Sequence, residues 1–459
     1  MTSEGKSAVA ATLNIELVRR HAAELIERNS WTRQQLLSYQ QQQLKKSLKH
    51  AVDKSPYYKE TIGHLIARDA PLSEFPILTK RALMENFDRI VTDPRLNRKN
   101  VEQHVDGPRA GESLFGEHRT IATGGTSGER GVFVFSQKAW LSVMANVVRF
   151  QKIIGTLPNT RMIGIGAASA IHVSNRFYAE FRASRPDTPV LDVTMAIDTI
   201  VEALNKYQPE AITTYPSFMR VLAEEQSSGR LKIMPRFFRS AAEALTPEVR
   251  TIVQNTWNAL VYNGYSSTEV GAMGQECLHQ SGIHLAEDLS VYEIADENNK
   301  ILSEGRFGSK LLITTLTNPT LPLVRYELTD VAIWAVGQCT CGLPTARLAS
   351  LEGRREEILH FARVGGGTVD IHAIRLHSPL IGMGGLRQFQ LIQIPEGLEI
   401  AISVQSGQDV VLLQQKTEQS IRAILEKLGV AQLLVVVKVV DEIARVGTGA
   451  KMKLVGKTM

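Results

Sequence analysis

The chain contains few cysteines and lacks any long apolar run. Its 459 residues include three cysteines, an odd number that argues against a disulfide scaffold. A membrane span needs about 18 consecutive apolar residues, and no segment of the sequence approaches that length. The most apolar stretch, Leu433–Val440, is short, rich in β-branched residues and interrupted by Lys438, which is typical of a buried strand. These absences argue against both a small disulfide-rich domain and a membrane protein.

The chain also lacks a strong excess of charge. Its formal net charge is +5, and no basic stripe is interleaved with aromatic residues, so nucleic acid is not an expected partner. The segment Met1–Leu17 does not have the charged-then-apolar order of a signal peptide. We therefore expect a cytoplasmic protein with no membrane partner. A homodimer is compatible with this composition, which does not determine the oligomeric state.

A chain of 459 residues exceeds one ordinary hydrophobic core, so two or more domains are expected. The sequence predicts a long amphipathic helix at Thr32–Ser55 and a short helix at Lys80–Phe87 that Thr79 can cap. From about residue 120, strand and helix patterns alternate as far as the apolar strand Leu260–Tyr262. This alternation predicts parallel sheets, in which ligands bind at the carboxyl ends of the strands.

The pattern changes after Ser267. Short apolar runs broken by Gly, Pro and Asn predict a β-rich subdomain over Ile283–Ser350, and the remaining chain offers strands and one helix, Gln414–Leu428. The predicted fold class is therefore α/β. A large N-terminal domain, residues 1–352, would contain mostly parallel sheets and the β-rich subdomain, and residues 353–459 would form a small α+β C-terminal domain.

The segment Thr123–Gly131, with the sequence TGGTSGERG, has the composition of a phosphate-binding loop. Glycines allow backbone amides to approach phosphate oxygens, and threonine and serine hydroxyls add further donors. It is not a Walker loop, because the pattern G-x-x-x-x-G-K-[ST] is absent and a strand follows instead of a helix. Taken alone, an ordinary hairpin turn explains the segment as well.

A second polar segment, Asn263–Gly271, has the sequence NGYSSTEVG and follows an apolar strand, so we expect it at the carboxyl end of that strand. Its tyrosine, hydroxyls and carboxylate are suited to a stacked base, a phosphate and Mg²⁺. The alternative is a polar loop that opens a helix. Two further segments, Arg325–Asp330 and Leu351–Glu357, are in isolation ordinary solvated charge clusters.

Together these segments resemble the adenylate-forming superfamily of acyl-CoA synthetases, peptide-synthetase adenylation domains and luciferases. They are most similar to its phenylacetate–coenzyme A ligase-like branch. The resemblance covers nearly the whole chain, because the N-terminal signature of the branch is also present at Trp31–Arg33, Ser55–Lys59 and Phe75–Lys80. It implies ATP and Mg²⁺ in the reaction, coenzyme A as the acceptor, and a small C-terminal domain that is mobile.

The resemblance assigns roles to individual residues. The β- and γ-phosphates of ATP would be held by the loop that contains Thr123, Gly125, Thr126, Ser127 and Gly128. The remainder of the nucleotide site would consist of Ala242, Glu243, Tyr265, Ser266, Thr268, Asp330 and Arg354. Within it, Tyr265 would stack on adenine and Thr268 would bind the α-phosphate. Asp330 would accept hydrogen bonds from both ribose hydroxyls.

Three more positions follow from the resemblance. Glu269 would ligate Mg²⁺, and Glu356 would lie at the hinge of the C-terminal domain. A lysine near the C-terminus would bridge the acid and the α-phosphate and offset the charge that develops there. The glycines between Arg445 and Lys453 resemble the turn that presents this lysine, so Lys451 is expected, with Lys453 as the fallback and an exposed tail lysine as the alternative.

For the acid, the resemblance implies His172 beside the carboxylate and Tyr215 in the pocket. A helix-capping histidine and a core tyrosine are the respective alternatives. The branch suggests an aryl or arylacetic acid as the substrate, and the residues themselves do not establish this.

The cysteines fall into two small clusters, one of which is joined by a histidine. Cys277 lies close to His284 in sequence, and Cys339 and Cys341 form a Cys-x-Cys pair. Three thiolates and one imidazole make a closed tetrahedral set for structural Zn²⁺, and the clusters resemble a Cys/His metal site found in some members of the branch. The spacing is not that of a zinc finger. Scattered free thiols are therefore the alternative, and His279 is a rival ligand.

Four positions depart from the family pattern. Glu129 and Arg130 follow the glycines of the phosphate segment, and Ser266 and Thr329 stand where the family usually has glycine. The predicted function is ATP-dependent conversion of a carboxylic acid to an acyl-adenylate, followed by transfer to coenzyme A. The alternatives are acyl or AMP transfer to an amine, a carrier protein or a hydroxyl, and a non-catalytic nucleotide-binding partner protein.

Overall fold

The computed structural model describes residues 13–123, 130–167, 169–183, 185–354, 357–373, 376, 380, 383, 385–404, 407–441, 443, 445–446, 451–452 and 455–457. For residues 354, 372, 445–446, 451–452 and 456–457 it describes the backbone only. Within these residues, no helix combines the length and the hydropathy needed to cross a membrane.

The N-terminal region is helical. It contains α1 (Ile15–Glu27), α2 (Arg33–Lys54), α3 (Pro56–Ala67), α4 (Lys80–Glu85), α5 (Phe87–Ile90) and α6 (Arg98–Asp106). Helix α2 begins where the sequence predicts, because Thr32 and Gln35 form a capping box in which each side chain accepts a hydrogen bond from the backbone N–H of the other. Ser55 ends α2 and caps α3, and Thr79 caps α4 as predicted.

Strands and helices then alternate, as the sequence predicts. The elements are β1 (His118–Ala122), β2 (Val132–Ser136), α7 (Gln137–Ile153), β3 (Met162–Gly166), α8 (Val173–Ala183), β4 (Leu191–Asp192), α9 (Ile197–Tyr207), β5 (Ala211–Thr214), α10 (Pro216–Ser227), β6 (Phe237–Ser240), α11 (Pro247–Trp257) and β7 (Leu260–Ser267). Strands β4, β3, β5, β6 and β7 lie side by side and are parallel. The segments that follow these strands therefore meet at one edge of the sheet.

Strand β7 is longer than the sequence predicts. The apolar pattern ends at Tyr262, whereas the strand continues to Ser267 because residues 264–267 pair antiparallel with the next strand, residues 271–276. This pairing satisfies the backbone hydrogen-bonding groups of a polar segment that has the composition of a loop. The expected position of Asn263–Gly271 after the strand is therefore wrong for its first half, and so is the alternative of a loop that opens a helix.

The following region is β-rich, as predicted. It contains β8 (Gly271–Glu276), β9 (Ile283–Leu285), β10 (Ser290–Ala295), β11 (Phe307–Gly308), β12 (Lys310–Thr315), β13 (Tyr326–Leu328), β14 (Asp330–Trp334) and β15 (Arg347–Arg354). Strands β10, β12 and β13 form a separate antiparallel sheet. The others extend the parallel strands into one large sheet with the order β11-β14-β15-β9-β8-β7-β6-β5-β3-β4.

The C-terminal region mixes strands with one long helix. It contains β16 (Ile358–Ala362), β17 (Thr368–His372), β18 (Leu386–Ile394), β19 (Gly397–Val404), α12 (Val410–Lys427), β20 (Leu434–Val439), β21 (Arg445–Val446), β22 (Lys451–Met452) and β23 (Val455–Lys457). Among the described residues, these strands pair only with one another. The α/β fold class is confirmed, and the domain boundary between residues 352 and 353 stays a prediction.

Two large clusters of buried apolar side chains form the core. One joins the N-terminal helices to β1, β2, α7 and the β-rich region. The other contains side chains of the parallel strands, such as Ile212, together with Leu359 and Leu391 of the C-terminal region. The described C-terminal strands therefore share one apolar cluster with the parallel strands, although they do not pair with them.

Buried ion pairs attach the N-terminal helices to the sheet. The Asp288 side chain is 1% exposed and accepts hydrogen bonds from Arg149 at 2.9 Å and from Arg28 at 3.1 Å. The neighbouring Glu287 accepts hydrogen bonds from the guanidinium of Arg33 and from the backbone N–H of Ala346 at 2.6 Å. A buried carboxylate is tolerated here because it is paired with cations that are themselves hydrogen-bonded.

Replacing Asp288 by Asn is expected to lower the free energy of unfolding by about 3–5 kcal/mol, because Arg149 would lose its counter-charge in the interior. Urea titration followed by circular dichroism measures this change. The control is Asp53→Asn, which removes the exposed ion pair with Lys49 and should cost less than about 1 kcal/mol. Equal effects of the two substitutions would contradict a structural role for Asp288.

Candidate active site

A hydrogen bond between Tyr265 and Asp330 lies at the centre of the candidate site. Tyr265 is on β7 and is 7% exposed, and its hydroxyl donates to Oδ2 of Asp330 at 2.6 Å. Burial raises the pKa of Tyr265 well above its usual value, and the charge of Asp330 raises it further, so the hydroxyl stays protonated. Asp330 begins β14 and lies opposite Arg354 of β15. The structure therefore brings together three residues that are far apart in sequence.

The turn between β7 and β8 carries the next two predicted residues. Thr268 is half-buried and Glu269 is 7% exposed. Ser266 lies opposite Ala272 where the register shifts. The hairpin places the hydroxyl of Thr268 and the carboxylate of Glu269 within a few residues of Tyr265, at the end of β7.

Lys80 is the cation that faces Glu269. Its Nζ lies 4.0 Å from Oε1 of Glu269, and its side chain is 25% exposed. The backbone of Leu78 explains this position, because it donates to the carbonyl of Arg325 at 3.1 Å and accepts from Glu327 at 2.9 Å. The N-terminal signature is thus attached to the strand that leads to Asp330.

The phosphate segment is closed at its base. The backbone N–H of Thr123 donates to the carbonyl of Gly131 at 2.9 Å, and the hydroxyl of Thr123 accepts from the N–H of Gly131 at 2.8 Å. Thr123 therefore joins the two ends of the loop. The Cδ atom of Lys80 would lie 3.6 Å from a Cβ at Gly131, so the end of the loop and the lysine are neighbours. Arg130, which departs from the family pattern, forms an ion pair with Asp106 of α6 at 2.6 Å.

The turn after β6 contains Ala242 and Glu243. Ala242 is exposed and has φ +64°, a left-handed conformation that favours glycine. The carboxylate of Glu243 accepts hydrogen bonds from the backbone N–H of Ser217 at 3.0 Å and from its hydroxyl at 3.1 Å. Glu243 therefore holds the start of α10 next to this turn.

His172 and Tyr215 follow β3 and β5, at the same edge of the sheet. His172 is half-buried and directly precedes α8, and its carbonyl accepts the N–H of Arg176 at 3.1 Å. Tyr215 is 1% exposed and belongs to the apolar core, which favours the alternative of a core tyrosine. The role of His172 beside an acid stays a prediction.

Several predicted positions lie outside the described residues or are described by their backbone alone. Those outside are Gly125, Thr126, Ser127, Gly128, Glu129, Glu356 and Lys453. The backbone of Lys451 pairs with Val446 in a short hairpin, and the backbone of Arg354 pairs with Asp330.

The cysteines and His284 form one cluster. The Sγ atoms of Cys277 and Cys339 are 3.8 Å apart. Nε2 of His284 lies 3.3 Å from Sγ of Cys341. The four ligand atoms all lie within 4.8 Å of one another, whereas the rival His279 is hydrogen-bonded to Thr340 and is not part of this group.

The chemistry of His284 suits a metal ligand. Its Nδ1 lies 3.0 Å from the hydroxyl of Thr345, which leaves Nε2 directed at the thiols. Burial lowers the pKa of His284 to about 4, and the charge of Arg347 lowers it further, so the imidazole is neutral near pH 7. The alternative of scattered free thiols does not fit this arrangement, because the three thiols and His284 lie together.

The sequence patterns do not predict the contacts of two further residues, Lys80 and Arg239. Lys80 belongs to a quoted motif, but its contact with Glu269 depends on chain segments far apart in sequence. Arg239 lies on β6, and its Nε donates to Oε1 of Gln275 at 2.5 Å. A charged residue within the buried run Phe237–Ser240 is the sequence signal that was available for Arg239.

Replacing Tyr265 by Phe is expected to lower the free energy of unfolding by about 1.5–3 kcal/mol, because it removes a hydrogen bond to a carboxylate. The matched control is Tyr292→Phe, since the hydroxyl of Tyr292 donates at 3.3 Å to the neutral carbonyl of Met273. That change should cost about 0.5–1.5 kcal/mol. Urea titration compares the two variants, and a larger loss for Tyr292→Phe would refute the assignment.

Known proteins of similar sequence or fold are phenylacetate-coenzyme A ligases and an acyl-CoA ligase. No protein-family model matches the chain. The chain is 28% identical over 204 residues to phenylacetate-coenzyme A ligase of Thermus thermophilus, which covers 43% of this chain and 45% of that protein. It is also 25% identical over 349 residues to phenylacetate-coenzyme A ligase of Pseudomonas putida. That match covers 71% of this chain and 72% of that protein.

A solved structure has the same fold. The crystal structure of 2-hydroxyisobutyryl-CoA ligase in the postadenylation state, in complex with 2-HIB-AMP, has a TM-score of 0.73 to this chain. It is 16% identical in sequence and covers 94% of this chain and 91% of its own. The resemblance that the motifs indicate is thus confirmed: the chain is similar in sequence to phenylacetate-coenzyme A ligases and has the fold of an acyl-CoA ligase.

Proposed function

We propose that the chain is an AMP-forming acid–thiol ligase that activates a carboxylic acid with ATP and transfers the acyl group to coenzyme A. In the first step a carboxylate oxygen attacks the α-phosphorus of ATP, and the bond to pyrophosphate breaks. In the second step the thiol of coenzyme A attacks the acyl carbonyl, the thiol proton is lost, and AMP leaves. The acid is an aryl or arylacetic acid, the class suggested by the phenylacetate-coenzyme A ligases that this chain resembles.

The observation that carries this proposal is the Tyr265–Asp330 pair at the end of β7. A buried aromatic ring beside a carboxylate suits a nucleoside, because the ring can stack on the base and the carboxylate can accept ribose hydroxyls. Thr268 follows in the turn and offers a hydroxyl to the α-phosphate. Arg354, whose backbone lies opposite Asp330, is proposed to support the ribose and phosphate.

The phosphate side of the site combines a cation with a carboxylate. Glu269 is proposed to bind Mg²⁺, which would neutralise charge on the phosphates and orient them. Lys80 lies beside both Glu269 and the end of the phosphate segment, so its ammonium group is suited to the leaving pyrophosphate.

The C-terminal region supplies the remaining groups of the proposal. Lys451 would bridge the acid and the α-phosphate, and Glu356 would lie at the hinge. His172 would position the carboxylate of the acid from the start of α8. Ala242 and Glu243 would line the adenine. The carboxylate of Glu243 also holds the start of α10 in place.

Acid-dependent exchange of radiolabelled pyrophosphate into ATP tests the first step. Exchange is expected with aryl or arylacetic acids, and its absence with every acid in a broad panel would refute the proposal. Lys451→Ala is expected to reduce the rate by about 100- to 1,000-fold. Lys80→Met is expected to reduce it by roughly 10- to 100-fold through loss of a charge-assisted contact.

Lys59→Met is the matched control, because Lys59 is exposed on α3. It should leave exchange unchanged. An unchanged rate in Lys451→Ala would show that another lysine, such as Lys453, serves the reaction. Addition of coenzyme A should then yield a thioester, whereas product formation only with an amine or a carrier protein would reassign the acceptor.

We also propose that Cys277, His284, Cys339 and Cys341 bind one structural Zn²⁺. Tetrahedral zinc with Zn–S bonds of about 2.3 Å separates two thiolates by roughly 3.8 Å, and the Cys277–Cys339 distance is 3.8 Å. The cluster joins the end of β8, strand β9 and the segment before β15. Four protein ligands leave no open position, so the ion would stabilise the fold and take no part in the reaction.

Metal analysis of protein purified without added zinc tests this site. About one zinc per chain is expected in the unmodified protein and in His279→Ala, whose imidazole lies outside the cluster. Cys341→Ser and His284→Ala are expected to lose the metal and to unfold at a lower temperature. A zinc content near zero in the unmodified protein would overturn the assignment, whatever the variants do.

A further inference from the structure

A charged side chain lies within the buried parallel sheet. Arg239 is the third residue of β6, between Thr213 of β5 and Tyr262 of β7 in the register of the sheet. Its side chain is on the same face as that of Phe237, which is 5% exposed. Parallel strands covered on both faces are ordinarily apolar throughout. An arginine at this position therefore needs an explanation.

Gly264 makes room for the guanidinium. A Cβ at Gly264 would lie 2.6 Å from both Cζ and Nη2 of Arg239, so the guanidinium rests on the backbone of Gly264 and tolerates no side chain there. Gln275 fixes its orientation, because its Oε1 accepts from Nε of Arg239 and its Nε2 donates to the carbonyl of Asn263 at 3.1 Å. The Gln275 side chain is fully buried.

The guanidinium has no counter-charge among the described residues. Within that part of the chain no carboxylate oxygen lies within 4.0 Å of it, and its hydrogen bond to Gln275 uses Nε. Burial lowers the pKa of Arg239 from its ordinary value, and the nearby Tyr178 opposes this shift. A half-buried cation without an anion is still costly, and the two outer nitrogens of the guanidinium remain to bind one.

Arg239 lies on the face of the sheet where the acid is proposed to bind. On the same face, the ring of Tyr178 covers Gly164, where a Cβ would lie 2.2 Å from Cε1 of the ring. Gly164 of β3 and Arg239 of β6 are both partners of Thr213. Tyr178 belongs to α8, and His172 directly precedes that helix. An acid whose carboxylate lies by His172 would thus extend between α8 and this face, towards Arg239.

We propose that Arg239 binds a second carboxylate on the acid, so that the preferred substrate is an aryl or arylacetic acid with an anionic group distant from the reacting carboxyl. Two N–H groups of a guanidinium match the two oxygens of a carboxylate. The hydroxyl of Tyr178, whose pKa is raised by burial, stays protonated and provides a further donor on the same side. This inference rests on the function proposed above and specifies its substrate class.

The test compares pairs of acids of nearly equal shape in the pyrophosphate exchange assay. For the unmodified protein, kcat/KM for 3- or 4-carboxyphenylacetate should exceed that for the matching methylphenylacetate by roughly 10- to 100-fold. Arg239→Met should abolish or reverse this preference, and Arg239→Lys should retain part of it. Arg236→Met is the control, because Arg236 is exposed three residues earlier in the chain, and it should leave the preference unchanged.

The outcomes separate this inference from the proposed function. Equal or better use of the methyl acids by the unmodified protein would overturn the role of Arg239 while leaving adenylation established. If kcat/KM fell equally for both acids in a folded Arg239→Met protein, Arg239 would have a structural role and would not bind the second carboxylate. Absence of exchange with every acid would refute the adenylation proposal and this inference together. The preference of the unmodified protein is decisive even if Arg239→Met does not fold.

Discussion

The double pairing of β7 is the constraint on which the site depends. The first half of this strand pairs with β6 in parallel, and its second half pairs with β8 in antiparallel direction. The change occurs between Asn263 and Gly264. Because side chains alternate along a strand, Gly264 faces the side of the sheet that holds Arg239, and Tyr265 faces the side that holds Asp330. One strand thus separates the region proposed for the acid from that proposed for adenosine.

Electrostatic interactions follow the same division. Asp330 and Glu269 place negative charge on the nucleotide side, where the ribose hydroxyls and Mg²⁺ are proposed to bind. Lys80 lies beside Glu269, and Arg239 lies on the opposite face without a carboxylate partner among the described residues. The buried pairs around Asp288 form a different group, because their charges are already neutralised. The charges around Asp288 therefore stabilise the fold, whereas Arg239 keeps outer nitrogens that are proposed to bind the substrate.

Local signals in the sequence predict much of the fold. The ends of α2 are visible because Thr32, Gln35 and Ser55 are capping residues, and the cysteines are visible because they are few and clustered. The continuation of β7 is not visible, because its second half has a polar composition and becomes a strand only through pairing with β8. The contact of Lys80 with Glu269 depends on the attachment of Leu78 to the segment before Asp330. Such contacts between distant segments are not encoded in local composition.

The proposed reaction cleaves ATP between the α- and β-phosphates with the acid as nucleophile. Phosphorus-31 NMR of a reaction that contains the unmodified protein, ATP, Mg²⁺, coenzyme A and a mixture of aryl and arylacetic acids measures this directly. The account predicts AMP and pyrophosphate in amounts that depend on the added acids. Acid-dependent formation of ADP and inorganic phosphate would contradict it, because the acid would then be activated as an acyl-phosphate.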